Sequence, residues 1–287
     1  MREADIEDMG IKIGGRNLTN LRYADDTALL SDNITSMKRI LHRVDQAGRN
    51  AGLHLNAKKT KVMSIGTRDD EHHNIKIDGT PLEEINDFKY LGSYKAKDGT
   101  CSKDIKTRIG MAKNKMIQLN NIWKNRGIPL YLKMNILKSL IWPVLLYGSE
   151  AWTLRKADKD RLQAAEMWFY RRMLRISWTE KRTNESILFE LGTTRKILTE
   201  INKRRLRYIG HTTRNKNTDL MKIAFYGNVE ATRKRGRPGM TYQENIKDTT
   251  GLRICEISRK AHDRDDWRRV VTMSRAAANI DNDDADR

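Results

Sequence analysis

Two adjacent aspartates between two short apolar segments constrain the fold of this chain more than any other feature. Asp25 and Asp26 lie between residues 21–24 (LRYA) and residues 27–30 (TALL). Apolar runs on both sides of so short a polar interval predict a β-hairpin with the two carboxylates at its tip. Carboxylate oxygens are ligands that Mg²⁺ prefers, and Asp is also a common residue of plain surface turns. The segment therefore predicts either a metal-binding hairpin or an ordinary solvated turn.

Local patterns define a helix and a second hairpin in the following residues. Apolar residues recur at helical spacing over residues 34–51, with Asp32 or Asn33 available as the N-cap and Gly52 as the stop. An Asp-Gly pair at residues 78–79 follows a strand-like run and predicts a tight hairpin turn. The N-terminal third is therefore expected to mix strands with a helix that packs on them.

Three motifs in this region occur in an order that resembles one enzyme family. They are YADDTALL at residues 23–30, GLHLNAKKT at residues 52–60 and FKYLG at residues 88–92. They resemble the palm hairpin, the Gly-Leu-x-x-Asn-x-x-Lys-Thr segment and the primer-grip hairpin of reverse transcriptases. Later segments resemble the C-terminal region of non-LTR retrotransposon reverse transcriptases, so that the resemblance covers nearly the whole chain. Those segments are residues 147–154, 171–176, 208–211, 235–238 and 264–268.

The resemblance implies a role for each matching residue. Asp25 corresponds to a ligand of Mg²⁺ (or Mn²⁺), Asp26 to a second ligand or electrostatic support, and Tyr23 to a residue near the primer end. Lys59 corresponds to a lysine that protonates the leaving pyrophosphate as a general acid, and its alternative is an ordinary exposed lysine. The residues expected to form the primer grip are Phe88, Tyr90, Leu91 and Gly92.

The predicted fold class is α+β, with a partial palm followed by mainly helical segments. Residues 1–98 are expected to hold the partial palm, with its metal-binding hairpin and its primer-grip hairpin. Residues 99–148 are expected to form thumb-like helices. Residues 149–275 are expected to form a helical, basic C-terminal region. Residues 276–287 carry four aspartates and little apolar content, which is typical of a disordered tail.

Two parts that the family needs for catalysis have no match in this sequence. A further catalytic aspartate should precede the hairpin, together with the fingers, but Asp5 and Asp8 have no apolar run around them. The chain is therefore expected to be the C-terminal portion of an RNA-directed DNA polymerase, inactive alone and binding Mg²⁺ or Mn²⁺ only if missing residues complete the site. The alternative is a noncatalytic RNA- or DNA-binding protein that uses the thumb and the basic region.

The charge of the chain predicts a nucleic-acid partner independently of the resemblance. The 56 Lys and Arg residues against 37 Asp and Glu give a net charge of +19, and such a field attracts polyanions. Residues 195–237 hold thirteen basic and three acidic residues, which indicates either a phosphate-binding surface or a solvated basic face. The expected partners are an RNA template with a DNA primer, or a duplex. The candidate contact residues in this region are Arg204, Arg205, Arg207, Arg233, Arg235 and Arg237.

Other sequence features concern the location of the protein in the cell, zinc binding and membrane insertion. Residues 233–239 (RKRGRPG) resemble a nuclear-import signal, a minor-groove hook or a basic linker, and we expect an intracellular, nuclear location. Cys101 and Cys255 lie far apart without a CxxC pattern, so no zinc knuckle is predicted. The longest apolar run, residues 140–148, is broken by Pro143 and too short to span a bilayer, so no membrane partner is expected.

Overall fold

The computed structural model divides the chain into two compact units. Unit 1 comprises Met1–Phe88, Ala96–Gly99 and Asn217–Arg237, and unit 2 comprises Lys89–Lys95, Thr100–Lys216 and Pro238–Arg287. The structure describes residues 6, 8–65, 74–216, 219–227 and 240–280.

Strands are confined to the first hundred residues of the described chain, and long helices follow. The strands are β1 (Ile11–Ile13), β2 (Arg16–Leu18), β3 (Asn20–Tyr23), β4 (Asp26–Leu29), β5 (Lys61–Val62), β6 (Lys76–Ile77), β7 (Thr80–Pro81), β8 (Glu83–Glu84), β9 (Asp87–Tyr90) and β10 (Ser93–Ala96). The helices are α1 (Ile34–Asn50), α2 (Ser102–Gln118), α3 (Asn120–Lys124), α4 (Leu130–Ile136), α5 (Trp142–Leu145), α6 (Lys156–Leu174), α7 (Asn184–Glu190), α8 (Ile197–Arg214), α9 (Asp219–Tyr226), α10 (Tyr242–Thr250), α11 (Ile254–His262) and α12 (Arg264–Ile280). This order agrees with the predicted α+β class.

Every sheet among the described residues has two strands. The pairs β1–β2, β3–β4 and β6–β7 are antiparallel, β5–β8 is parallel, and β9 pairs with β10. The predicted turn at residues 78–79 is confirmed, because Ile77 pairs with Thr80 and both Asp78 and Gly79 have positive φ. Two positive φ values in a two-residue turn match the right-handed twist of the flanking strands. The N-terminal strands thus form local hairpins and one short parallel pair.

Helix α1 confirms the helix predicted over residues 34–51. Its N-cap is Asn33, whose side-chain oxygen accepts a hydrogen bond from the Ser36 N–H at 2.8 Å. The chain leaves the helix at Gly52 with φ +73°, a conformation that glycine adopts without strain. The inner face of α1 supplies two small cores. One contains Ile6, Ile40 and Val44, and the other contains Leu41, Ile75, Ile77 and Leu82.

We expect Asn33→Ala to lower the free energy of unfolding of unit 1 by about 1 kcal/mol, because the N–H of Ser36 loses its partner. Asn33→Asp should be close to neutral, since aspartate caps helices as well as asparagine does. Urea unfolding followed by circular dichroism measures both. Equal stability of the alanine and aspartate variants would contradict the capping role.

Unit 2 is built around one apolar core that the helices from α2 to α8 share. Its largest buried side chains include Ile105, Met116, Trp123, Leu137, Ile141, Trp152, Leu162, Phe169 and Ile201. A π-helical turn at Leu137–Ile141 joins α4 to α5, whose first turn contains Pro143. Proline has no N–H to continue the regular hydrogen-bond ladder, so the wider turn carries the chain across this point. None of the described helices is long and apolar enough to cross a membrane.

The first turn of α8 is capped by a side chain from α6. Glu166 is fully buried, and its carboxylate accepts hydrogen bonds from the N–H of Lys196 at 2.7 Å and the N–H of Ile197 at 3.3 Å. The Tyr170 hydroxyl donates to the same carboxylate at 2.7 Å. Burial raises the pKa of Glu166, and these hydrogen bonds act in the opposite direction. A carboxylate at a helix N-terminus is favourable because it faces unpaired N–H groups.

Helix α12 packs along α8 at a glycine. The indole N–H of Trp267 donates to the Leu206 carbonyl at 2.8 Å, and Gly210 lies directly against the indole ring. At its other end α12 is helical as far as Ile280. Residues 276–280 thus continue a helix instead of beginning the predicted tail, since the alanines at 276–278 favour helix. Residues 281–287 lie outside the described residues.

Candidate active site

The Asp-Asp segment forms the predicted hairpin in unit 1. Strands β3 and β4 pair from Asn20–Leu29 to Tyr23–Asp26, which leaves Ala24 and Asp25 as a two-residue turn. Asp25 therefore lies in the turn, and Asp26 is the first residue of β4. Both carboxylates and Tyr23, which is 64% exposed, face solvent at the tip.

The tip offers two free carboxylates to a cation. Neither Asp25 nor Asp26 uses its carboxylate in a hydrogen bond or ion pair with another described residue, so all four oxygens are available as ligands. Across the described ranges, no group of three or more His, Cys, Asp or Glu side chains is placed to hold a metal ion. The ligands that the described residues offer at the hairpin tip are therefore the two carboxylates of Asp25 and Asp26, whose oxygens are of the type that Mg²⁺ prefers.

The Lys59 segment folds into a turn stabilised by its own asparagine. The Lys59 N–H donates to the Asn56 carbonyl and to the Asn56 side-chain oxygen, both at 3.1 Å, and the Thr60 hydroxyl donates to the Asn56 carbonyl at 2.9 Å. The Lys59 side chain is exposed and makes no ion pair with Asp25 or Asp26. The structure thus gives a structural role to Asn56, the asparagine of the Gly-Leu-x-x-Asn-x-x-Lys-Thr motif.

The segment that resembles a primer grip forms a hairpin of β9, β10 and the turn Leu91-Gly92 between them. Both turn residues have positive φ, +48° and +80°. Both residues belong to unit 2, and side chains of that same unit hold their carbonyls. The Tyr147 hydroxyl donates to the Leu91 carbonyl at 3.0 Å, and the Arg108 guanidinium donates to the Gly92 carbonyl. Leu91 itself is exposed at the tip, as is Phe88 in β9, and Tyr90 ends that strand half-buried.

A buried carboxylate beneath this hairpin tip organises its contacts. Asp104 in α2 is 1% exposed and accepts hydrogen bonds from the Tyr94 N–H and the Trp152 indole, each at 2.9 Å, and from the Ser93 hydroxyl at 3.1 Å. Arg108, one turn farther along α2, places its Nε atom 3.9 Å from the Asp104 carboxylate. The tip is therefore fixed to α2 through both a side-chain and a backbone contact.

Arg108 lies between the Asp104 carboxylate and the aromatic ring of Tyr147. Its guanidinium carbon lies 4.3 Å from the centre of the Tyr147 ring, a cation–π geometry. The sequence does not point to Asp104 and Arg108, because an acid in the first turn of a helix with a basic residue four positions later is a common surface pair. Tyr147 and Trp152 fell within the motif at residues 147–154. The structure gives both of them a role in positioning the hairpin.

The three arginines of α8 that were predicted to contact nucleic acid differ in how far they are buried. Arg205 is 1% exposed, and its guanidinium lies 4.9 Å from the centre of the Tyr242 ring. Burial lowers the pKa of Arg205. The position follows from helix geometry, since residues 197, 201, 205 and 209 lie on one face and the other three are isoleucines. Arg205 therefore packs inside unit 2 and does not meet the expectation of a solvent-facing phosphate ligand.

Arg207 and Arg204 lie nearer the surface. Arg207 is exposed, whereas Arg204 is half-buried and places Nη1 3.7 Å from the Glu150 carboxylate. Arg204 also donates a hydrogen bond to the Leu146 carbonyl at 3.4 Å. The predicted contacts Arg233, Arg235 and Arg237 lie outside the described residues.

Comparisons with known proteins find a family match over residues 5–94 and two similar proteins from mobile elements. Residues 5–94 match the family described as reverse transcriptase (RNA-dependent DNA polymerase). A transposon-derived protein of Caenorhabditis elegans is 27% identical over 278 residues, covering 91% of this chain and 98% of that protein. The RNA-directed DNA polymerase from the mobile element jockey of Drosophila melanogaster is 25% identical over 165 residues, covering 54% of this chain and 18% of the jockey protein. These matches show that the chain is similar to reverse transcriptases and to proteins of mobile elements.

Proposed function

We propose that this chain is the C-terminal portion of a retrotransposon reverse transcriptase, an RNA-directed DNA polymerase. Residues 1–98 would supply part of its palm, and the helices of residues 99–148 its thumb. The observation that carries the proposal is the β3–β4 hairpin, which presents Asp25 and Asp26 inside a segment that matches the family. The primer-grip hairpin, fixed beneath by Asp104, would position the primer end.

In this proposal Asp25 and Asp26 would hold Mg²⁺ or Mn²⁺. The bound ion would supply neutralisation of the charge on the phosphate oxygens during nucleotidyl transfer. Two carboxylates alone leave most of the six positions around Mg²⁺ to other ligands. We therefore infer that catalysis needs ligands in addition to those of the hairpin, and that the chain by itself does not polymerise DNA.

Primer extension tests this inference directly. Purified chain with an RNA template, a DNA primer, nucleotides and Mg²⁺ or Mn²⁺ is expected to give no more product than the Asp25→Asn/Asp26→Asn variant. Metal-dependent product that the double variant fails to make would show a complete site in this chain and would contradict its inactivity.

Metal binding at the hairpin is measured separately by nuclear magnetic resonance. Mn²⁺ should broaden the amide signals of residues 23–27 selectively, because a bound paramagnetic ion relaxes the nuclei nearest to it. The Asp25→Asn/Asp26→Asn variant should lose this broadening, while Asp248→Asn, an exposed acid on α10, should retain it. Equal broadening in wild type and double variant would remove the hairpin as the metal ligand.

A second candidate function is noncatalytic binding of RNA or DNA by the helical unit. The observation that favours it is the net charge of +19, with exposed basic side chains such as Arg207 on α8. Clustered Lys and Arg residues bind phosphates in a strongly salt-dependent manner. Salt-sensitive binding without extension would support this function over the polymerase.

A further inference from the structure

An unassigned basic cleft lies in unit 2 between the π-helical turn at Leu137–Ile141, α5 and the start of α8. Its volume is 620 Å³, within the range of ligand pockets. We call it the basic cleft, and it is defined by six charged lining residues. They are Lys138, Arg195, Lys196, Glu200, Lys203 and Arg204.

The charges of the basic cleft are unbalanced. Lys203 pairs with Glu200, and Arg204 lies near the carboxylate of Glu150. Lys138, Arg195 and Lys196 make no ion pair with any described residue. Cations that outnumber the acids lining one concavity repel one another and raise the local concentration of anions. The electrostatics of the cleft therefore favour an anionic ligand.

The wall of the cleft also contains an unpaired donor. Trp142 lines it and is 7% exposed, and its indole N–H has no hydrogen-bond partner among the described protein atoms. Buried polar groups nearly always have a partner. This N–H is itself closed off from solvent, so it is not offered to a ligand in the cleft. The charges of the lining side chains are therefore what favours an anionic ligand here.

We propose that the basic cleft binds the sugar–phosphate backbone of a single-stranded stretch of RNA or DNA. The cleft is larger than one phosphate group needs, so several linked phosphates suit the spread of cations along it. A positively charged groove that follows the backbone is the usual device for binding single strands. A duplex, being broader, would contact only the rim. The proposal rests on the nucleic-acid binding stated under the proposed function, and it names the site and the form of the ligand.

The first test removes the three unpaired cations together. Lys138→Gln/Arg195→Gln/Lys196→Gln should lower the affinity for a labelled single-stranded RNA or DNA by about a hundredfold at roughly 50 mM salt. The slope of log affinity against log salt should become shallower by about 2, at about 0.7 per lost phosphate contact. Fluorescence anisotropy between roughly 50 and 200 mM salt measures both quantities. Parallel titrations with the RNA and DNA strands determine which of the two the cleft prefers.

A matched control removes the same charge elsewhere. Lys124, Lys156 and Lys247 are exposed in unit 2 and do not line the cleft. Their triple Gln variant should change the salt slope by much less than the cleft variant does. Circular dichroism of both variants establishes that they are folded.

A gain of affinity provides a test that misfolding cannot imitate. Glu200 is the one acid that lines the cleft, and Glu200→Gln removes its repulsion and releases Lys203. Single-stranded RNA or DNA should then bind about threefold more tightly at low salt. Unchanged or weaker binding by this variant would contradict the proposed site.

The results of these binding experiments distinguish failure of the cleft as the site from failure of nucleic-acid binding itself. If the wild-type chain binds no nucleic acid, the proposed binding function fails together with the site. If the wild type binds and the cleft and control variants lose affinity equally, binding stands and the cleft is not its location. If a duplex responds to the cleft variant as strongly as a single strand does, the single-strand proposal is overturned.

Discussion

Asp104→Ala is expected to lower the free energy of unfolding of unit 2 by about 3–5 kcal/mol. The carboxylate is buried, and its loss leaves the Arg108 guanidinium, itself 6% exposed, without a counter-charge. It also removes the acceptor of the Tyr94 N–H and of the Trp152 indole. Unfolding in urea, followed by circular dichroism at neutral pH, measures the change.

Two controls define what the loss at Asp104 means. Asp248 is exposed on α10, and Asp248→Ala should alter stability by no more than about 0.5 kcal/mol. Asp104→Asn keeps one oxygen acceptor but removes the charge, so its stability should lie between those of wild type and the alanine variant. A loss at Asp104→Ala as small as that at Asp248→Ala would show that this network does not stabilise the unit.

Gly210→Ala is expected to lower the free energy of unfolding of unit 2 by about 3 kcal/mol, because the added methyl group overpacks the contact between α8 and α12. A Cβ atom there would lie 2.2 Å from the Trp267 Nε1 atom and 2.3 Å from its Cδ1 atom. Trp267 is buried and donates to the Leu206 carbonyl, so it cannot move without losing that hydrogen bond. Thermal unfolding should show a decrease in Tm of about 6–12 °C, at about 2–4 °C per kcal/mol for a domain of this size.

A second glycine tests whether steric conflict causes the loss of stability expected for Gly210→Ala. Gly110 lies within α2, and a Cβ atom there would meet no heavy atom within 4 Å. Gly110→Ala should therefore raise stability by about 0.5–1 kcal/mol, the ordinary gain from replacing glycine in a helix. Stabilisation by both substitutions would contradict the close packing at Gly210.

Features that depend on neighbouring residues were predictable from the sequence. The limits of α1 follow from the cap at Asn33 and the stop at Gly52, and the Asp78-Gly79 turn follows from its dipeptide. The hairpin at Asp25 and Asp26 follows from its flanking apolar runs. In each of these cases the structure is determined within a few residues, which is the range that a local pattern describes.

The Asp104 network was not predictable, because its partners are distant in the chain. Trp152 lies 48 residues beyond Asp104, and Tyr94 lies ten residues before it. Arg205 is a different case, because its position on the face with Ile201 and Ile209 predicts burial. Its charge led to the expectation of phosphate binding, although helical spacing was the better guide.

The cap that Glu166 provides has a consequence for the autonomy of α8. That helix begins after Lys196, whose side chain makes no capping hydrogen bond, and its first N–H groups rely on a carboxylate of α6. An isolated peptide of residues 197–214 would lack this partner, and it would also lack the packing of its apolar face, from which most of the stability of a protein helix comes. The segment that carries Arg204 and Arg207 is therefore not a portable module. Transferred to another protein without α6, it would carry the same charges but would not retain the helix that arranges them.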